Sequence, residues 1–264
     1  MVDFRIDVIV NPTGAARGAK VVERRLQAVQ NRADAVRGAL RSAFIGIGGG
    51  ALLFKSIRTM AQFSQSMATV RAVTGATEEQ FARLRDTAKE LGISTRFTAT
   101  QAGDAIVNLA RAGFTADEAL ISVKDTLNLA VAGALDLASA ADITASAVRG
   151  FRLNVDQAGR VADVLAATAN NANTNVFQLG EAIKFVAPVA AGLNVQFETT
   201  NAALAALSDA GLKATLAGTG LRRVMAELES PTEASQKKLA EFGIRSEEVR
   251  VSQVGLIKAL QRLK

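Results

Sequence analysis

Between Met60 and Leu228 the apolar residues recur at steps of three and four. Ile106, Leu109 and Ala110 form one run, Leu120, Val123, Leu127 and Ala130 a second, and Val161, Val164, Leu165 and Thr168 a third. This period places one apolar stripe on one face of a helix, and such stripes read as core rather than as cofactor contacts. Helix starts are marked by Thr77-Glu-Glu-Gln80, Thr98-Ala-Thr-Gln101, Thr115-Ala-Asp-Glu118 and Asn154-Val-Asp-Gln157. Each has the composition of a capping box, in which the small polar side chain accepts from a helix N–H and the residue three places on answers the cap's own N–H. Helix stops are marked by six glycines, each followed at once by an apolar residue: Gly92, Gly113, Gly150, Gly192, Gly211 and Gly243. A glycine just past a helix adopts the left-handed conformation without Cβ strain, and the apolar residue after it folds back on the last turn. With weaker breaks at Gly133 and Asn170-Asn171, the stops from Gly92 to Gly211 recur every 17 to 22 residues. That interval is one helix and one turn, so residues 60–230 are predicted to form stacked antiparallel helical hairpins, packed closely through Ala and Gly.

The first sixty residues follow other periods. Phe4, Ile6, Val8 and Val10 alternate with Asp3, Arg5 and Asp7, which predicts a short strand within residues 1–12. A lone strand leaves its backbone unsatisfied, so it must pair with another copy, another protein or a later segment. From Thr13 to Thr59 the pattern is helical, and Val22, Leu26, Val29, Ala33, Val36, Leu40, Ala43 and Ile47 fall at alternating steps of four and three. This heptad seam, flanked by Arg25 and Arg32, fits an oligomeric coiled coil or an amphipathic helix lying on its own domain. The seam runs into an uncharged segment, residues 43–54, that contains Phe44, Gly46, Gly48, Gly49, Gly50, Leu52, Leu53 and Phe54. It is too short to span a bilayer as one regular helix. Its glycines let backbones approach, which suits a membrane-active or switchable element on one reading and a tight oligomer contact or hinge on the other. A phosphate-loop reading fails, since no strand precedes the glycines and no Lys-Ser/Thr follows them. The fold class expected is therefore all-α: a short N-terminal strand, a coiled-coil helix, stacked hairpins over 60–230, and the start of a further helical region over 231–264.

Composition narrows the chemistry. The 264 residues include no His, Cys, Trp or Tyr, which removes the usual zinc and transition-metal ligands, thiol nucleophiles and histidine bases. An enzyme is disfavoured, and no catalytic residue, metal or cofactor is expected. No disulfide can form, and Met1 to Val10 lacks the apolar core of a secretory signal. About a fifth of the residues are Ala, and aromatic content is only 5%. The net charge of +6 is uneven, with about +6 on residues 1–58, about −4 on 59–211 and about +4 on the remainder.

Several stretches resemble the conserved region of the phage tail tape measure family. They are Ala61-Gln-Phe63-Ser-Gln-Ser-Met67-Ala-Thr-Val70, Ala88-Lys-Glu-Leu91-Gly92 and Ala110-Arg-Ala-Gly113-Phe114-Thr-Ala-Asp-Glu118-Ala119-Leu120. Downstream come Asp163-Val-Leu-Ala-Ala-Thr, Leu179-Gly-Glu181-Ala182 through Pro188, Leu204-Ala-Ala-Leu207-Ser208-Asp-Ala210-Gly211, and Ala217-Gly218-Thr219-Gly220-Leu221-Arg222. Each piece is weak alone, but together they keep the family's order over residues 60–245. The resemblance implies a mainly helical structural protein of the virion that lies in the tail tube lumen, sets tail length and templates tube assembly. It implies as partners further copies of itself, commonly drawn as a trimer, together with the tail tube protein, tail assembly chaperones and tail tip or baseplate proteins. It further implies synthesis in the host cytoplasm and release into the host envelope to aid genome ejection, with transient contact at the inner membrane. Family members are usually much longer, and this chain stops mid-pattern in Leu256-Ile-Lys-Ala-Leu-Gln-Arg-Leu-Lys264, so a truncated chain or a missing ruler segment is expected. As one straight helix the whole chain would span only about 400 Å.

Other classes make different demands. A helical-repeat adaptor or scaffold without a ruler role would bind a partner on a concave face. A peptidoglycan-cleaving enzyme would have to draw on Glu118, Glu181 and Glu198, which ordinary capping accounts for. Non-specific, salt-sensitive DNA contact through Arg24, Arg25, Arg32, Arg37 and Arg41 is conceivable, although no aromatic residues accompany them for stacking. More simply, this basic segment would complement an acidic tube lumen or acidic partner.

Overall fold

The computed structural model describes residues 50–263. The predicted strand, the seam residues Val22, Leu26, Val29, Ala33, Val36 and Leu40, and Phe44, Gly46, Gly48 and Gly49 all lie outside the described residues. Gly50, Leu52, Leu53 and Phe54 fall in the first turns of a helix. Packing divides the chain into two units, Met1–Thr59 and Met60–Lys264, and the second holds the helical stack.

Among the described residues there are twelve α-helices and no strand. They are α1 (Gly50–Thr74), α2 (Glu78–Ser94), α3 (Ala99–Arg111), α4 (Ala116–Ala132), α5 (Leu137–Gly150), α6 (Ala158–Asn171), α7 (Val176–Gly192), α8 (Phe197–Asp209), α9 (Ala214–Glu229), α10 (Glu233–Glu241), α11 (Val251–Val254) and α12 (Leu256–Arg262). From α2 to α9 each helix packs on its neighbours in sequence and also on the helix two places away. The result is two layers, α2-α4-α6-α8 and α3-α5-α7-α9, with the core between them. Such a stack buries in each helix pair an apolar face that the pair could not bury alone. The turn between α4 and α5 redirects the chain by 117°, short of the full reversal of an antiparallel hairpin.

The stack has a repeat that the sequence pattern left hidden. The caps of α3, α5, α7 and α9 are Thr98, Asp136, Asn175 and Lys213, which stand 38, 39 and 38 residues apart. The fifth residue after each cap is Gly103, Ala141, Gly180 and Gly218, and three of these positions leave no room for a side chain. A Cβ on Gly103 would lie 2.5 Å from Ser66 Oγ of α1, one on Gly180 would strike Ile143 of α5, and one on Gly218 would strike the main chain of Ala182 on α7. Ser66 also donates to Asp104 at 2.8 Å, so α1 takes the place of an earlier member of the same layer. Gly180 faces Ile143 and Ala187 faces Gly150. Both contacts advance seven residues together, so α5 and α7 run parallel. Ion pairs link the same neighbours: Arg83 to Asp117 at 2.9 Å between α2 and α4, Lys184 to Asp142 at 2.6 Å between α5 and α7, and Arg160 to Glu198 at 2.6 Å between α6 and α8. All are half exposed, so each contributes about 1 kcal/mol at most.

Capping boxes form at Thr77, Thr98 and Thr115. The fourth expectation fails. Asn154 precedes a 3₁₀ turn, Val155–Gln157, and its side chain caps nothing. Side-chain caps not anticipated occur at Asp136, Asn175 and Thr232. The glycine stops are correct in kind at Gly113, Gly211 and Gly243, which have positive φ. At Gly113 the following Phe114 N–H returns to Leu109 at 3.0 Å, closing the helix. Gly92 lies inside α2, where it leaves room for the backbone of Ala99. Gly150 and Gly192 end their helices without positive φ, and the left-handed residues are Arg152 and Asn194, two places on. Leu153 and Val195 then make the return bonds to Val148 and Ala190. The weaker break at Gly133 likewise passes its turn to Ala134. The apolar residue after the stop, rather than the glycine, is the constant part of the motif.

Candidate functional site

The three glutamates singled out in the sequence are all engaged. Glu118 accepts from the Thr115 N–H at 2.8 Å and from Arg149 at 2.6 Å. The backbone hydrogen bond from Thr115, reinforced by Arg149, holds its carboxyl below the usual glutamate range. Glu198 accepts two bonds from Arg160 at 2.6 and 2.7 Å, and those bonds depress its pKa despite some desolvation. Glu181 accepts from Lys184 at 2.6 Å. Capping explains Glu118 alone, and ion pairs between or along helices explain the other two. A general acid must keep its proton near neutral pH, and Glu118 and Glu198 are biased the other way. No cluster suited to a metal ion occurs among the described residues.

Arg149 is the residue that sequence reasoning missed. From the end of α5 it reaches back to the turn before α4, donating to the Gly113 carbonyl at 3.2 Å and to Glu118. Its guanidinium also stands over the Phe114 ring at 5.0 Å. One side chain thus ties a helix stop, a capping box and the following helix together. The partners lie 31 to 36 residues away, so no local pattern announces them.

These pairings set a pH response. Glu118 and Glu198 have folded-state pKa values below the ordinary value of 4.5, so their stabilisation is present above that value and fades as pH falls through the folded one. Thermal midpoints measured against pH should therefore drop below pH 4.5, and the drop should be shallower in a Glu118→Gln, Glu198→Gln double variant. Equal slopes would contradict the assignment.

A groove of about 670 Å³ opens where α9 meets α10, lined by Leu228, Pro231, Leu239, Phe242, Ile244 and Leu263 among others. Phe242 there is 78% exposed, and no residue of α10 is buried. Among the described residues no single helix is long and apolar enough to cross a membrane. The bent pair α4 and α5 meets the requirement by length and composition alone, and most of its apolar residues belong to the core, with Ile121 and Val131 exposed.

Comparison with known proteins supplies the family. Residues 85–264 match the profile of the phage-related minor tail proteins. The chain belongs to that family. It is 35% identical over 209 residues, 79% of its own length, to the tape measure protein of Pneumococcus phage Dp-1, of which the match covers 18%. It is 28% identical over 244 residues to the probable tape measure protein of Escherichia phage P2, covering 91% of this chain and 30% of that one. A third relative is the probable tape measure protein of Clostridium phage phiCD119, 27% identical over 161 residues, covering 60% of this chain and 17% of the relative. The chain thus spans less than a third of the length of these curated relatives. No solved structure matches it. The resemblance to tape measure proteins noted in the sequence therefore stands, and with it a place for this minor tail protein in the phage tail.

Proposed function

We propose that this chain is the conserved helical region of a tail tape measure protein. In this reading it lies in the tail tube lumen, templates tube assembly and length, and is released into the host envelope to aid genome ejection. The observation that carries the reading is the 35% identity to the Dp-1 tape measure protein across 79% of the chain. The repeat architecture supports it, because a stack of parallel-layer helices is an axial body that adds length by repetition. Two layers of helices, each about 10 to 12 Å across with side chains, set a width of at least about 20 Å. A narrower lumen would require the helix pairs to open into extended helices. The partners in this reading are further copies of the chain, the tube protein, its assembly chaperones and the tail tip, with the basic residues 1–58 facing acidic surfaces. Transient membrane contact would fall to the apolar segment 43–54.

The test is electron microscopy of tails assembled by a phage whose gene lacks the codons for residues 60–230. Tails should be absent or of altered length, and the intact gene supplied separately should restore them. Tails of normal length and number would overturn the reading. A scaffold without a ruler role draws on the 38 to 39 residue repeat, and it predicts lost assembly with no change of length in any tail that forms.

A further inference from the structure

One position of the layer α2-α4-α6-α8 recurs at steps of 39 residues and reads Leu84, Val123, Ala162 and Asn201. All four side chains are buried. The first three are apolar, and the fourth places an amide in the core, where its Oδ1 has no hydrogen-bond partner among the described residues. A buried acceptor without a donor loses its hydration and receives nothing in return.

The rest of that face is polar too. α8 buries Phe197, Thr200, Asn201, Leu204 and Ser208, so three of its five buried side chains are polar. α2 buries only Leu84, Ala88 and Leu91, and α6 only Ala158, Val161, Ala162 and Leu165. α4 buries Ser122 and Thr126, but beside six apolar residues. In α8 Thr200 donates to the Gln196 carbonyl at 3.0 Å, Asn201 Nδ2 to that of Phe197 at 2.8 Å, and Ser208 to that of Leu204 at 2.8 Å. Each of these bonds reaches back one turn of the same chain segment, so α8 can leave its neighbours without breaking any of them.

Specific contacts fix α8 at its ends. Its first turn is held by the Phe197 ring against Phe151 and by Glu198 on Arg160. At its last turn Asp209 accepts from the Asn173 N–H at 2.7 Å, an exposed bond. On its outer side a cavity of about 310 Å³ opens toward α12, lined by Ala202, Ala203, Leu256 and Leu260 among others. α9, by contrast, is set on the main chain of α7 through Gly218. We infer that α8 beyond its first turn is the part of the stack that opens first, separating from α6 and α7 while α9 stays in place. Such a unit opens at a lower cost than unfolding of the whole. The inference follows from packing alone and does not depend on the tail reading.

Hydrogen exchange of the full chain, followed by mass spectrometry in rising urea below the unfolding transition, tests it. Amides of residues 201–209 should exchange about tenfold or more faster than the slowest amides of α2 and α4, because a buried unpaired acceptor lowers the cost of opening by that order. Their exchange should depend weakly on urea, since a local opening exposes little surface, whereas that of the α2 and α4 amides should depend on it steeply. Asn201→Val, which matches Val123, should slow exchange over residues 201–209 about tenfold. Asn201→Leu, which matches Leu84, makes the same test should the valine variant fold poorly. An α8 as well protected as α4 would overturn the inference. An α8 no less protected than α2 would assign its opening to its place at the end of the layer and overturn it as well. Exchange left unchanged by both substitutions would do the same.

Discussion

Gly218→Val should lose about 3 kcal/mol of stability. A Cβ at this position would stand 2.7 Å from the Ala182 Cα and 2.8 Å from its carbonyl carbon. Those are main-chain atoms of a buried helix, so no rotamer change can clear the way, and α9 would have to move off α7. Gly220 lies two residues on in the same helix with open space at its Cβ site. Gly220→Ala should therefore gain up to about 1 kcal/mol from helix propensity. Urea unfolding of the two variants beside the parent measures the contrast. A Gly218→Val variant as stable as the parent would show that the α7 and α9 backbones are not held in contact.

Phe197→Ala should cost about 3 to 5 kcal/mol, the range for removing a buried aromatic side chain. Phe197 is the first residue of α8 and is 1% exposed. Its ring meets that of Phe151 edge to face, with centroids 5.1 Å apart and planes at 85°. Phe151 sits at the stop after α5, so the pair pins a turn of one layer to the start of a helix in the other. Both rings belong to the buried core, so removing either leaves a cavity there. Phe242→Ala, at an exposed position, should change stability by no more than about 0.5 kcal/mol. Thermal unfolding of both variants separates the two cases, and similar midpoints would place Phe197 outside the working core.

The parts of the fold that were legible were those encoded within a few residues. Thr77, Thr98 and Thr115 carry their box partners three places on, so both halves of each cap are visible in one short window. Asn154 has the same spacing to Gln157, yet the chain enters a 3₁₀ turn there, and the side chain has no α-helical N–H to meet. The stops at Gly150 and Gly192 were misplaced by two residues for a related reason. Arg152 and Asn194 adopt positive φ where the return bonds from Leu153 and Val195 hold them, and Gly150 serves another end. At Gly150 that end is room for the Ala187 methyl of α7, which only the neighbouring helix defines.

The candidate glutamates were legible as polar residues near turns but not as members of pairs. Glu198 and Arg160 are 38 residues apart, and Glu118 and Arg149 are 31 apart. The first spacing is that of the layer repeat and the second joins consecutive helices of different layers, and a search for motifs of a few residues samples neither. The groove beside α10 had no signal at all, since its lining comes from separate elements.

By itself the sequence determined that the described part of this chain is helical, where three of those helices begin, that it lacks histidine and cysteine chemistry, and that it resembles tail tape measure proteins. These are properties of local hydrogen bonding, of composition and of ordered short motifs, all of which are written in neighbouring residues. Only the tertiary structure decided that the helices form two layers with a 38 to 39 residue repeat, that Gly103, Gly180 and Gly218 are points of close contact between helices, and that Arg149 clamps a turn from the next helix. Those are consequences of which helix faces meet, and with so many small side chains on every face, the meeting is settled by backbone approach across the stack and not by any one residue's preference.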